Sequence, residues 1–186
     1  IYVSKPNKLI VCITLYIIFA YLANIYPNIA FPTFFLIKLI ELIVLHETAK
    51  TYFLTFPEKL SIFLHAFVVL TLFTAVIGIV QFYLQSSTGL GRLIGEPALT
   101  DLGFGIAKVS DNIGISFLRP YSLFPHPNIL SAFLFTALII QICLILKEKW
   151  LLNYKFAYAS LFTLIFSLFL SFSRAGLIAF VASLVC

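Results

Sequence analysis

Arg119 to Leu130 reads RPYSLFPHPNIL: one arginine, three prolines, a histidine and an asparagine set directly ahead of a long apolar run. Pro120 biases Arg119 toward extended backbone. Pro125 and Pro127 stiffen the approach to whatever follows, and Pro is favoured at the first position of a helix. Further on, Ser171 to Gly176 reads SFSRAG and interrupts a second apolar stretch with a single arginine. As one helix, Leu151 to Cys186 would run roughly 54 Å, against a bilayer core of about 30 Å. It must therefore break, and the polar interruption at Ser171–Gly176 is where it can turn.

Working outward, hydrophobic residues make up 62% of the chain and charged residues 10%, against roughly 25% charged in soluble domains. The mean hydropathy is +1.10. Several apolar runs reach the roughly 18 residues that cross a bilayer, so the expected fold class is all-α, a polytopic transmembrane helix bundle. Five full spans can be drawn, at about 9–26, 29–45, 60–84, 128–146 and 151–170, with a sixth beginning near Ser173. The run after Lys8 is long for a signal peptide and lacks a clear cleavage site, so it is kept as a span. The chain opens without methionine and stops inside an apolar run, and it reads as a fragment, a single membrane domain over 1–186. Cys12, Cys143 and Cys186 sit singly in apolar segments without metal-ligand spacing and read as small apolar fillers.

The basic residues report topology rather than a nucleic-acid surface, and no nucleic-acid partner is expected. Under strict alternation Lys5, Lys8, Lys50, Lys59, Lys147, Lys149 and Lys155 fall on one side, which the positive-inside rule makes cytoplasmic, together with the N-terminus. The other side receives the turn at Pro27, a long loop over 86–127 and the turn at Arg174. All the arginines, Arg92, Arg119 and Arg174, fall there, with Lys108 as the one lysine. The 86–127 loop is too long for a connector. It carries Leu93, Ile94, Leu99, Phe104 and Val109 among its glycines, and its charges cancel, Arg92, Lys108 and Arg119 against Glu96, Asp101 and Asp111. It reads as a partly ordered outer loop packed on the membrane surface or re-entering it.

Asn128, or His126 if Pro127 is the first helical residue, is a natural cap for the fourth span, and Ser173 can cap the sixth. Both starts face outward and offer free amide hydrogens and a partial positive charge. Two arginines beside two helix N-termini describe a receptor for a multiply charged anion, since guanidinium forks suit phosphate oxygens. The plainer alternative is that Arg119 anchors the loop in lipid headgroups and Arg174 pairs with an acid elsewhere. An arginine inside so apolar a stretch is costly, which weighs toward function for Arg174. Lys38 and Glu41, three apart, can pair on one helix face. His46 and His65 read as interface residues on the inner side, and Tyr26, Tyr83, Tyr121, Trp150 and Tyr154 as interfacial anchors. GLGRLIG from Gly89 lacks the strand and glycine spacing of a nucleotide loop.

The order RPYSLFPHPNILSAFL, then SFSRAGLIAF, resembles the O-antigen ligase/polymerase family of bacterial membrane glycosyltransferases over Arg119 to Phe180. Members carry an outer-loop arginine, a proline-asparagine step opening the next span and a serine-arginine-glycine-like turn two spans later; here an alanine stands between Arg174 and Gly176. The resemblance implies a multi-pass protein of the bacterial cytoplasmic membrane with its active face outward. Arg119 and Arg174 would be catalytic, binding the diphosphate of an undecaprenyl-diphosphate-linked glycan while it moves to a lipid or glycan acceptor hydroxyl. The wider substrate-binding set is Arg119, Arg174, His126, Asn128 and Ser173. Arginines can stabilise the leaving diphosphate electrostatically, so no cofactor or metal is expected. His126, between two prolines, reads better as a cap than as the base, and the family's base histidine would lie beyond Cys186. The alternative is a transporter or flippase of lipid-linked oligosaccharide, which would show more polar residues along several spans or paired broken helices.

Overall fold

The computed structural model describes residues 15, 18, 19, 30–99, 106–110, 114, 116–147 and 153–185. The expected span at 9–26 falls almost wholly outside these residues, as do Tyr26, Asp101, Asp111, Lys149, Trp150 and the Arg92 side chain. The described chain is mostly helical and divides into two compact units, Ile1–Lys59 and Leu60–Cys186.

The first unit carries helix α1, Ala30–Thr55. It runs past the 29–45 segment read from hydropathy because its polar tail supplies its own helical contacts. Thr51 Oγ1 donates to Glu47 O at 2.8 Å and Thr55 Oγ1 to Thr51 O at 2.9 Å. Lys50 lies 3.8 Å from Glu47. Lys38 and Glu41 pair as expected, at 2.8 Å, with both side chains more than half exposed. Phe56 alone separates α1 from the next helix, since the residue before a proline is steered out of the α region. The loop expected around Lys50 and Lys59 is thus one residue long.

Helix α2, Pro57–Leu84, buries His65, Val68, Thr71, Ala75, Gly78 and Gln81, a stripe at three- and four-residue steps. Its remaining faces expose Leu70, Phe73, Val76 and Tyr83. After a left-handed Gln85, a four-residue helix α3, Gly91–Ile94, ends on Gly95 at φ 73°. Strands β1, Lys108–Ser110, and β2, Ser116–Leu118, pair antiparallel with Val109 opposite Phe117. This hairpin is an addition to the all-helical expectation. With Leu99, Leu118 and Tyr121 it gives the loop a small apolar core of its own.

Helix α4, Pro127–Leu146, α5, Tyr154–Leu170, and α6, Arg174–Val185, complete the second unit. Leu130, Leu134, Ala137 and Leu138 of α4 form one core with Val68 and Ala75 of α2 and Ala157, Leu164 and Leu168 of α5. Polar groups tie the helices inside it. Gln141 Nε2 donates to Ala157 O at 2.7 Å and to Ser160 Oγ at 2.6 Å, and Ser167 Oγ donates to Ala75 O at 3.4 Å. The break in the 151–186 stretch falls where the sequence places it, with Phe172 at φ 49° in the turn between α5 and α6. Among the described residues, α2 and α4 are long and apolar enough to cross a membrane, while α5 and α6 are shorter apolar helices.

Candidate functional site: two arginines at the ends of three helices

The N-termini of α4 and α6 and the C-terminus of α5 meet at one end of the second unit, and Arg119 ties two of them together. Its Nε donates to Ser171 O, a carbonyl at the end of α5, at 2.8 Å. Its Nη2 donates to Asn128 Oδ1, in the first turn of α4, at 2.8 Å. The first bond meets a carbonyl that has no partner within its helix, at the negative end of the α5 dipole, where a cation is favoured. Partial burial pulls the Arg119 guanidinium down from its ordinary value, opposed by Tyr121, and arginine remains a cation regardless.

Capping sets the geometry. His126, in extended backbone, caps α4, its Nδ1 accepting from Asn128 N at 3.1 Å with Pro127 as the first helical residue. Of the two caps weighed from sequence, histidine is therefore the one used. Asn128 lies inside the helix with its side-chain oxygen given to Arg119. Ser173 caps α6: its Oγ accepts from Gly176 N at 3.3 Å and its carbonyl from Leu177 N at 3.0 Å. Ser171 Oγ reaches back to Leu168 O at 2.7 Å and accepts from Ser173 N at 3.3 Å, so the buried serines of SFSRAG close the turn on themselves. Gly176 lets α6 approach α4 closely: a Cβ there would lie 2.8 Å from Ser131 Oγ and 2.9 Å from Ser131 Cβ.

Arg119 and Arg174 line the same open cavity of about 580 Å³, with Asn128 and Ser173 between them in the chain and Val109, Phe169, Phe172 and Leu177 as its apolar flank. None of the described residues lining it is acidic. Arg174 is exposed, and its guanidinium has no hydrogen-bond or ion-pair partner among the described residues. Four of the five residues singled out from sequence thus share one cavity. His126 does not line it; its ring nitrogen is occupied by the cap, and its ring packs edge-on against Tyr121 at 6.2 Å.

Tyr121 departs from the reading as an interfacial anchor. It is 5% exposed, and its hydroxyl accepts from Ala107 N at 2.7 Å, so it is an internal strut of the loop. Glu96, counted in sequence only in the balance of the loop's charges, takes neutral donors: Gln81 Nε2 at 2.7 Å, Thr88 N at 2.6 Å and Thr88 Oγ1 at 2.8 Å. Burial alone would raise its carboxyl, but the bonds from Gln81 and Thr88 outweigh that and hold it below the ordinary glutamate value. Gln81 and Gln85 were not singled out from sequence. The one available signal was two amides at the polar end of a strongly apolar span. Comparison with known proteins gives no identification: no family model, no curated protein and no solved structure matches this chain.

Proposed function

We propose that this chain is part of a membrane glycosyltransferase of the O-antigen ligase or polysaccharide polymerase type, its cavity receiving the diphosphate of a polyprenyl-linked glycan. The observation that carries the reading is that Arg119 and Arg174, far apart in sequence, line one cavity with no acid among its described lining residues. Two helix N-termini open beside it, a favourable setting for phosphate oxygens. The flank of Phe169, Phe172 and Leu177 suits an aliphatic chain next to a charged head. In this reading α2, α4, α5 and α6 belong to a bundle of about six spans in a bacterial cytoplasmic membrane, with the cavity at the outer face.

The chemistry follows from the charges. The acceptor hydroxyl attacks the anomeric carbon of the donor while the bond from that carbon to the diphosphate oxygen breaks. Negative charge then grows on the leaving diphosphate. Guanidinium groups already in place stabilise that charge more than the ground state, which is what accelerates the step. The hydroxyl proton leaves to a base that is not among the described residues lining the cavity.

The test is reconstitution of the full protein with an undecaprenyl-diphosphate glycan and a hydroxyl acceptor. Glycan transfer that falls by roughly a hundredfold or more in Arg119→Ala and Arg174→Ala supports the assignment. Movement of the lipid across the bilayer with no transfer would overturn it in favour of a flippase.

A further inference from the structure

Gln81, fully buried at the outgoing end of α2, has all its hydrogen-bonding capacity used. Its Nε2 donates to Glu96 Oε1 at 2.7 Å and to Ser122 O at 3.1 Å. Its Oε1 accepts from Tyr121 N at 3.0 Å and Ser122 N at 2.6 Å. One amide therefore joins three stretches of chain: α2, the segment after α3, and the turn that follows Arg119. The amide can point only one way: the Tyr121 and Ser122 N–H groups require its oxygen, and the Ser122 carbonyl and the Glu96 carboxylate require its NH₂. An ionised carboxylate only accepts, so it demands the NH₂ end and leaves the oxygen for the two backbone amides. A reversed amide would set oxygen against the carboxylate and NH₂ against two donors.

The turn so held is coupled tightly to Arg119. Only buried Pro120, with its fixed φ, stands between Arg119 and Tyr121. Ser122 sits at φ 53° and anchors its Oγ on Thr74 O at 2.7 Å. On the other side of Arg119, Leu118 N donates to Gln85 Oε1 at 2.7 Å, and Arg119 N itself donates to Ala107 O at 3.1 Å. No regular secondary structure fixes the backbone from Arg119 to Ser122. Gln81 of α2, Gln85 just beyond it and the Ala107 carbonyl do, and Glu96 holds Gln81 from its other side.

We infer that Glu96 is a positioning residue for the cavity: through Gln81 it fixes the backbone that carries Arg119, and so the placement of one of the two guanidinium groups. The inference rests on the reading of the cavity as a diphosphate site only for its functional consequence. Glu96 does this as a hydrogen-bond acceptor. A glutamine at 96 can offer its oxygen to Gln81 Nε2 and Thr88 N and its NH₂ to the Thr88 hydroxyl, which turns to accept.

The experiment uses the full chain in detergent micelles, with farnesyl diphosphate as the probe and two readouts, probe affinity and hydrogen exchange of the Tyr121 and Ser122 amides. In Glu96→Ala these amides exchange roughly tenfold faster, the scale of one lost hydrogen bond, and the probe binds roughly tenfold more weakly. Glu96→Gln stays within about twofold of the parent in both. Unchanged exchange in Glu96→Ala overturns the inference. So does a Glu96→Gln variant as damaged as Glu96→Ala, or one that binds the probe markedly more tightly, which would make the charge the operative property. Should Glu96→Ala fail to fold, Glu96→Asp, shorter by one methylene, is expected to move both readouts in the same directions, and no movement overturns the inference. A parent protein that does not bind farnesyl diphosphate sinks the diphosphate reading instead, while the exchange rates still decide the clamp.

Discussion

Gly176→Ala is the sharpest test of how the second arginine is placed. The added methyl would lie 2.9 Å from Ser131 Cβ and 2.8 Å from Ser131 Oγ, where carbon contacts normally open to about 3.5–4.0 Å. Ser131 is 2% exposed on α4 and its Cβ is fixed by the helix. Relief therefore requires α6 to back away from α4 by roughly 0.6 Å or more. Overpacking of this kind costs about 1–3 kcal/mol, against which alanine gains about 1 kcal/mol of helix propensity over glycine. The expected net is a loss of about 1 kcal/mol, roughly 2–4 °C in thermal unfolding for a chain of this size. The diagnostic is coupling with Ser131. Ser131→Gly removes both clashing atoms, so in that background Gly176→Ala becomes neutral or stabilising, while Ser131→Ala, which keeps the Cβ, rescues little. Thermal unfolding in micelles of the parent, the single variants and the double variant measures this as an interaction energy of about 1–2 kcal/mol. Strict additivity of Gly176→Ala and Ser131→Gly would refute the reasoning.

Two further outcomes follow from the loop and the caps. His126→Ala removes the cap of α4 and is expected to lower stability by about 1 kcal/mol, whereas His126→Asn keeps an acceptor and most of that stability; thermal unfolding of both variants is the check. Glu96 is held below the ordinary glutamate value when folded, so its contribution is fully present above the unfolded carboxylate value and is lost as the pH falls through the folded one. Thermal unfolding temperatures that decline on acidification through the carboxylate range in the parent and decline less in Glu96→Gln would bear this out, and parallel curves would not.

Much of the helical framework was legible because it rests on local signals. Proline at the first helical position and an acceptor before it mark the start of α4, and SFSRAG marks the break before α6, since an uninterrupted helix there would be too long for a bilayer. Hydropathy failed where helices continue into polar sequence: Glu47, Lys50, Thr51 and Thr55 extend α1 by their own contacts, and no apolarity score registers that. The loop was the least legible part. Its order comes from Gln81 and Gln85 meeting backbone groups tens of residues away and from Glu96 meeting Gln81, and single-sequence patterns carry no record of such pairings. Tyr121 misled for the same reason. Its position near a span end fits an anchor, but its partner, Ala107 N, is set by the hairpin.

The grip of Arg119 on Ser171 and Asn128 makes the two cations unequal. Two of its five N–H donors are committed and its rotamer is settled during folding, leaving three donors on a plane that is fixed beforehand. Arg174 enters any encounter with its torsional freedom intact and gives up as much as about 2 kcal/mol of it on engaging an anion. In the proposed site one guanidinium would serve as template and the other as recruit. An arriving oxyanion would register first on the rigid group, and selectivity between single and paired phosphates would be decided by whether the mobile one can close the second contact.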